Sequence, residues 1–164
     1  MILRKYNKIV ILLLLPVVCV MYSCSNGDQG DLQPVNEKFY ASNFRFSPRK
    51  KVIIRGTRDK VTTTGKTHII ALSEGNIYLG WKKLDVLVPE NWYIYFCDNV
   101  VCYYTFPDDA IMNPVKKGDK TEENKMKIFV EHNGESGSGV VNILVYEVVN
   151  PQNADTITYD ITIE

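Results

Sequence analysis

The chain has 164 residues, and its 19 basic residues balance its 19 acidic ones, which gives a formal net charge of zero. The lysines stand in short, scattered pairs, such as Lys82-Lys83 and Lys116-Lys117, and not in one cluster. This distribution excludes the concentrated basic face that a nucleic-acid-binding protein needs, so we expect no nucleic acid among the partners. Paired lysines are typical of solvated turns and of strand edges that are protected from pairing with another chain.

The first predicted element is a secretory signal over residues 1–23. Three basic residues come first, residues 9–20 form an apolar run interrupted only by Pro16, and a polar stretch follows Cys24. This order is typical of a segment that directs export and is not part of the fold. The apolar run is also shorter than the roughly 20 residues that a permanent transmembrane helix needs.

A cysteine follows a small residue at the end of that run. The Ser23-Cys24 junction resembles the bacterial lipoprotein box, in which the cysteine thiol is acylated and the chain is cut just before it. The resemblance implies that Cys24 is the lipidation site and the first mature residue. Met21 and Tyr22 depart from the usual Leu and small residue of that box, and Cys19 is a rival that fits badly because apolar residues follow it. An ordinary cleaved signal and an uncleaved anchor are the alternatives, and both still export the domain.

The signal determines the organisation of the remaining chain. Residues 24–36 are predicted to be the lipidated cysteine and a flexible tether rich in Gly, Asp, Asn and Gln, and residues 37–164 are predicted to form one globular domain. Without the signal, sixteen basic residues face nineteen acidic ones, a net charge of −3. Since Ser25 stands where an Asp would retain a lipoprotein at the inner membrane, we expect a lipid anchor in the bacterial outer membrane, on its periplasmic face or at the cell surface.

The first half of the domain contains short β-prone segments. Residues 62–67 are interpreted as a turn between two of them, and His68, Ile70 and Leu72 are expected to share one face of a strand. No stretch shows sustained helical periodicity with caps. The predicted strands lie near residues 44–46, 52–54, 68–72, 77–81 and 84–88.

The second half gives clearer signals. Residues 92–96 and 103–106 are aromatic and β-prone, which predicts a hairpin that turns at Asp98-Asn99. Residues 126–130 alternate, residues 140–149 are apolar on both faces as in a central strand, and residues 150–153 are interpreted as the turn after it. Residues 157–163 alternate between apolar and polar, as a half-buried strand requires. Many short strands separated by turns predict an all-β, antiparallel β-sandwich.

Cys97 and Cys102 are the two cysteines that remain in the domain. Two cysteines with four residues between them in an exported domain favour a disulfide bond. A zinc site would need further cysteine pairs or nearby histidines, and a thioredoxin-like pair would need two intervening residues. A bridge that closes so short a loop contributes roughly 2 kcal/mol in the loop-entropy model, enough to brace a turn but not to create the fold.

Several short motifs in the second half recur together in a known type of module. They are a Pro-x-x-Trp before a Cys-Asp-Asn…Cys turn, a Lys-x-Gly-Asp turn, a Gly-x-Gly-Val entry to a long strand, and an Asn-Pro turn. Over about residues 86–164 they resemble an Ig-like module of secreted and surface proteins of the Bacteroidetes. The resemblance implies an Ig-like fold in an envelope protein and no reaction, and it does not cover residues 37–85. The motifs stand here at 89–92, 97–102, 116–119, 137–140 and 150–151.

The sequence contains no recognisable catalytic, cofactor or metal motif. Gly65-Lys66-Thr67 is not part of a phosphate-binding loop, because Lys60 stands where the first glycine would be needed. His68 and His132 are isolated and are interpreted as structural or exposed. The acidic pairs lack the ligand spacing of a calcium loop. We therefore expect a non-enzymatic protein without a cofactor.

The aromatic residues are the one feature with a functional character. They are candidates for binding an envelope protein or a glycan, although a β-sandwich also buries tryptophan and tyrosine near its disulfide. Alternation places Tyr93 and Tyr95 on one side of their strand and the more apolar residues between them on the core side. The candidate ligand-binding residues are Tyr78, Trp81, Tyr93, Tyr95 and Tyr103.

Three functional hypotheses follow from these features. The favoured one is an envelope lipoprotein whose Ig-like domain is a structural or interaction module. The alternative is a carbohydrate-binding accessory lipoprotein, which requires several aromatic rings to be exposed on one face. The third is a small envelope enzyme, which would need a polar cleft that the sequence does not locate.

Overall fold

The computed structural model describes residues 41–47 and 50–164, which form twelve β-strands and one 3-10 turn. The predicted signal, the lipidation site Cys24 and the tether lie outside the described residues. The elements are β1 (Phe44–Ser47), β2 (Lys51–Gly56), β3 (Thr62–Ala71), β4 (Asn76–Ile77), β5 (Leu79–Leu87), β6 (Tyr93–Cys97), β7 (Cys102–Tyr103), β8 (Asp109–Ile111), β9 (Val115–Lys116), the 3-10 turn Thr121–Asn124, β10 (Lys125–Glu131), β11 (Gly137–Glu147) and β12 (Asn150–Ile163).

Ten of these strands form two five-stranded sheets that enclose the core. Sheet A has the order β1-β3-β10-β6-β7, sheet B has the order β2-β12-β11-β5-β8, and β4 and β9 form a separate ribbon. The predicted all-β sandwich is confirmed. One pair departs from the antiparallel prediction, because β2 runs parallel to β12. The chain changes sheets between β1 and β2, and it thereby enters sheet B in the same direction as the last strand.

The core follows the period-two alternation of the sequence. In β12 the side chains of Ile157 and Ile161 are fully buried, and in β10 those of Met126 and Val130 are. Each buried aliphatic side chain of this size contributes about 1.5–3 kcal/mol relative to an exposed one. The predicted central strand is also confirmed, since β11 lies between β12 and β5 and buries alternate residues.

The predicted turn at residues 62–67 is wrong. These residues are the first half of β3 and pair with β10, with Gly65 opposite Ile128. β-branched threonines favour a strand, and the glycine is required by packing. A Cβ at Gly65 would lie 2.3 Å from Cδ1 of Ile54 on the opposite sheet. The glycine that suggested a turn thus permits the two sheets to approach.

Three further predictions need correction. In β3 the fully inward face carries Thr67, Ile69 and Ala71, whereas Leu72 lies beyond the strand end and is exposed. Most of the two strands predicted over residues 77–81 and 84–88 is one strand, β5, with a β-bulge at Leu84 that interrupts the pattern, while Ile77 belongs to β4. The last hairpin turns before the Asn-Pro pair, so residues 150–153 are the irregular start of β12.

The motifs that carry the Ig-like resemblance pack against one another. The Trp92 amide donates to the carbonyl of Pro89 at 3.0 Å, which closes the Pro-x-x-Trp turn. A Cβ at Gly137 would lie 3.2 Å from the Trp92 ring, and one at Gly139 would lie 2.7 Å from Val88. The Gly-x-Gly sequence therefore admits the 88–92 segment against the start of β11.

Candidate functional site

The two tyrosines of β6 point away from the core, as the alternation predicts. Tyr93 is 62% exposed and Tyr95 is half-buried, while Trp92 and Phe96 on the other side of the strand are buried. Tyr93 lies opposite Glu131 of β10. These tyrosines therefore lie on the outer face of sheet A.

An aromatic groove of about 270 Å³ crosses this outer face. It begins at β3, passes over β10 and β6 and ends just beyond β7, where Tyr104 is 81% exposed. On β10 the ammonium of Lys127 lies 4.9 Å from the centre of the Phe129 ring. The groove is lined by Thr62, Tyr95, Cys97, Cys102, Tyr103, Tyr104 and Phe129.

The rings of Tyr95 and Tyr104 form a corner and not a flat platform. Their centroids are 5.8 Å apart and their planes meet at 70°. Two rings at this distance and angle are in edge-to-face contact, so a ligand meets them in the angle that their faces form and not between them. The shape suits an apolar group that enters the corner, and it gives no continuous plane on which several sugar rings would stack.

A hydrogen bond fixes the ring of Tyr95. Its hydroxyl donates to the Glu131 carboxylate on the neighbouring strand. This hydrogen bond, followed by desolvation and the negative charge of Glu131, raises the pKa of Tyr95. The hydroxyl therefore stays protonated, and its orientation is set before any ligand arrives.

The predicted disulfide between Cys97 and Cys102 is confirmed, with the sulfurs 2.01 Å apart. It links β6 to β7 under the groove. The hairpin turns at Asp98-Asn99 as predicted, and the Asp98 amide donates to the carbonyl of Val101 at 3.0 Å.

Asp98 has a role that sequence reasoning missed, because its carboxylate is buried beneath the hairpin. One oxygen accepts from the amides of Val100 and Val101, both at 2.9 Å. The other accepts from Trp81 Nε1 at 3.1 Å and from the Tyr103 hydroxyl at 3.0 Å. A buried carboxylate is tolerated when it receives several hydrogen bonds. Asp98 therefore ties the hairpin to the core residue Trp81.

Trp81 is a wrong candidate for ligand binding. Its side chain is fully buried, and its ring packs edge-on against Phe96 at 4.8 Å and Tyr103 at 5.5 Å. Inward alternation in β5 and the bond to Asp98 place it in the core. Tyr103 is half-buried and contributes only to the floor of the groove, because its hydroxyl is turned inward to Asp98. Burial and that hydrogen bond raise the pKa of Tyr103 to about 12.

Tyr78 is exposed but belongs to another part of the molecule. It directly precedes β5 of sheet B, and its carbonyl accepts from the amide of Val148. Of the five aromatic candidates, only Tyr93 and Tyr95 share one exposed face. Of these two, Tyr95 lines the groove, together with Phe129 and Tyr104, which were not among those candidates. Tyr104 could have been found from the sequence, since continuing the Cys97–Cys102 register by two residues pairs it with Tyr95.

The described part of the chain shows no cluster of three or more His, Cys, Asp or Glu side chains that would hold a metal ion. Among the same residues there is no helix with the length and apolarity needed to cross a membrane.

Comparison with known proteins shows the fold. No protein-family model and no curated protein matches the chain. The N-terminal domain of PorA matches with a TM-score of 0.52 and 16% identity, over 70% of this chain and 87% of that one. WR4, an MSP family member of C. elegans, matches with a TM-score of 0.40 and 14% identity, over 75% of this chain and 99% of that one. PapD-like domain 7 of human CEP192 matches with a TM-score of 0.41 and 12% identity, over 76% of this chain and 85% of that one. The PorA likeness supports the Ig-like sandwich that the motifs implied, and the other two are too weak to carry an argument.

Proposed function

We propose that the protein is an exported lipoprotein, anchored to the bacterial outer membrane through acylated Cys24, and that its Ig-like sandwich is a non-enzymatic interaction module. The single observation that carries the binding function is the aromatic groove on the outer face of sheet A. Aromatic side chains on a rigid sheet supply a large contact area at a small cost in conformational entropy, and they dominate the energetics of binding surfaces.

The groove is rigid before it binds anything. The disulfide and the buried Asp98 fix the β6–β7 hairpin, and Glu131 fixes the Tyr95 ring. A surface that is already ordered loses little entropy on association. We therefore expect the partner to be an envelope protein that inserts an apolar side chain into the corner between Tyr95 and Tyr104.

Site-specific photo-crosslinking in cells tests this proposal. A benzoyl-phenylalanine is incorporated in place of Tyr104 in one strain and in place of Ile111 in a control strain. Ile111 is 60% exposed on β8, in the other sheet, so it matches the first position in accessibility and apolar character. We expect a discrete adduct from position 104 that weakens when Tyr95→Ala is added. No adduct at position 104, or the same adducts from both positions, would contradict the proposal.

Carbohydrate binding is the second candidate. It is favoured by the Glu131 carboxylate beside the exposed Tyr93 and the half-buried Tyr95, because sugar sites combine an aromatic surface with a few polar groups that fix orientation. The 70° angle between Tyr95 and Tyr104 limits stacking to one ring at a time. A glycan array probed with soluble residues 25–164 tests it. Binding that disappears in Tyr93→Ala/Tyr95→Ala at unchanged thermal stability would support it, and no binding by the parent would refute it.

A further inference from the structure

One end of the sandwich carries exposed apolar side chains that the groove does not use. Leu72, Tyr78, Val148 and Val149 are 43%, 49%, 40% and 76% exposed, and we call them the apolar tip. The Val148 amide donates to the Tyr78 carbonyl at 2.8 Å, which places the last β-hairpin beside the start of β5. Single exposed apolar residues are ordinary, but a group at one extremity indicates a contact surface.

The chain enters the domain at this same end. The amide of Leu72 donates to the carbonyl of Asn43 at 2.7 Å, and the Asn43 side chain donates to Glu147, which directly precedes the tip. The Ser42 amide donates to Asn153 at 2.6 Å, on the strand after the tip. Residue 41, the first described residue, is therefore followed by residues that bind beside the apolar tip.

We infer that the apolar tip rests in the interfacial layer of the bilayer that holds the lipidated Cys24. The inference depends on the anchor in the proposed function. Sixteen residues separate Cys24 from residue 41, and they span at most about 55 Å when fully extended. A tether of this length allows this end of the sandwich to reach the lipid surface. The opposite end, where Val61 and Tyr93 lie, faces away and leaves the groove open to a partner.

The chemistry of the tip suits lipid headgroups and the first acyl carbons. Its Leu72 and Val148 amides are already hydrogen-bonded, so they carry little desolvation cost on entering a less polar layer. The neighbouring charge of Glu74 is paired with Lys117. Glu147 accepts from Asn43 and Asn153. Apolar insertion of this kind adds to a lipid anchor that is weak by itself, and it does not require anionic lipid.

Fluorescence quenching by brominated lipid tests the inference. The acylated full-length chain carrying Val149→Trp is reconstituted into phosphatidylcholine vesicles with brominated acyl chains. Val61→Trp is the matched control, because Val61 is a valine of similar character, 57% exposed, at the opposite end. The native Trp81 and Trp92 are buried and contribute a constant background. We expect blue-shifted, quenched emission from position 149 and unchanged emission from position 61.

Each other outcome decides against a specific claim. Emission from position 149 that matches position 61 overturns the lipid contact. A blue shift in the non-acylated Cys24→Ala chain without vesicles means that protein, from this chain or a second copy, covers the tip, and it also overturns the inference. If mass spectrometry finds no lipid on Cys24, the anchor fails. The same chain is then tethered through an N-terminal hexahistidine to nickel-chelating lipid. Quenching at position 149 there shows, independently of the anchor, whether the apolar tip contacts lipid.

Discussion

Replacing Asp98 by alanine should destabilise the domain more than any surface substitution. The change removes a carboxylate that accepts four hydrogen bonds. The most costly loss is at Trp81, whose Nε1 lies 3.1 Å from the carboxylate and whose side chain is fully buried. In the Asp98→Ala chain this buried N–H loses the carboxylate that accepts from it. The amides of Val100 and Val101 lie at an exposed turn and can rehydrate.

The magnitude follows from these environments. An orphaned buried donor costs about 1–3 kcal/mol, and Trp81 belongs in the upper half of that range. The half-buried Tyr103 hydroxyl adds a value near the lower limit. We expect a loss of about 3–4 kcal/mol in the free energy of unfolding, which is large against the roughly 5–15 kcal/mol of a whole domain.

Urea unfolding monitored by tryptophan fluorescence measures this loss, with an unchanged dependence on urea concentration as the sign that the folded state is intact. Asp85→Ala is the matched control, since Asp85 is exposed and accepts one hydrogen bond, from Asn142 at 3.1 Å. It should change stability by less than about 0.5 kcal/mol. A loss of under about 1 kcal/mol for Asp98→Ala would refute the role assigned to the buried carboxylate.

The same contacts lead to three further predictions. Cys97 and Cys102 should resist alkylation unless first reduced, and replacing both by serine should cost roughly 2 kcal/mol; two thiols alkylated without reduction would contradict this. The pKa of Tyr103 is raised to about 12 from 10.0, so its protonated hydroxyl stabilises the fold fully below pH 10 and progressively less toward pH 12. Raising the pH over this range should lower the free energy of unfolding less in Tyr103→Phe than in the parent protein. Among the described residues neither ring nitrogen of buried His132 has a partner, so His132→Leu should stabilise by about 1 kcal/mol, and a drop in stability would contradict this expectation.

Local sequence patterns predicted the strands whose two faces differ strongly in polarity. The terminal strand and the outward position of Tyr93 and Tyr95 needed only the alternation of side chains. The hairpin with its disulfide needed only the spacing of Cys97 and Cys102. Residues 62–67 were predicted as a turn because glycine occurs in turns, but it also occurs where packing leaves no space for a side chain. Only the opposite sheet shows that Gly65 makes room for Ile54.

The candidate site was only partly predictable. Phe129 and Tyr95 belong to the same groove because β10 and β6 pair with these residues opposite each other, and that register is fixed by contacts far apart in the chain. Trp81 is of a residue type that is typical of sugar-binding sites. Its partner Asp98 is seventeen residues away, and no local pattern links the two.

Intact-mass analysis of protein extracted from the bacterial envelope tests the central claim, the lipid anchor, most directly. We expect a mature chain that begins at Cys24, with a mass raised by diacylglycerol and acyl groups, and that partitions with the outer membrane. We also expect that the Cys24→Ala chain is not processed at this site or is released from the membrane. A Cys24→Ala chain that still partitions with membranes at the mature size would contradict the claim, as would an unmodified Cys24 in the parent protein.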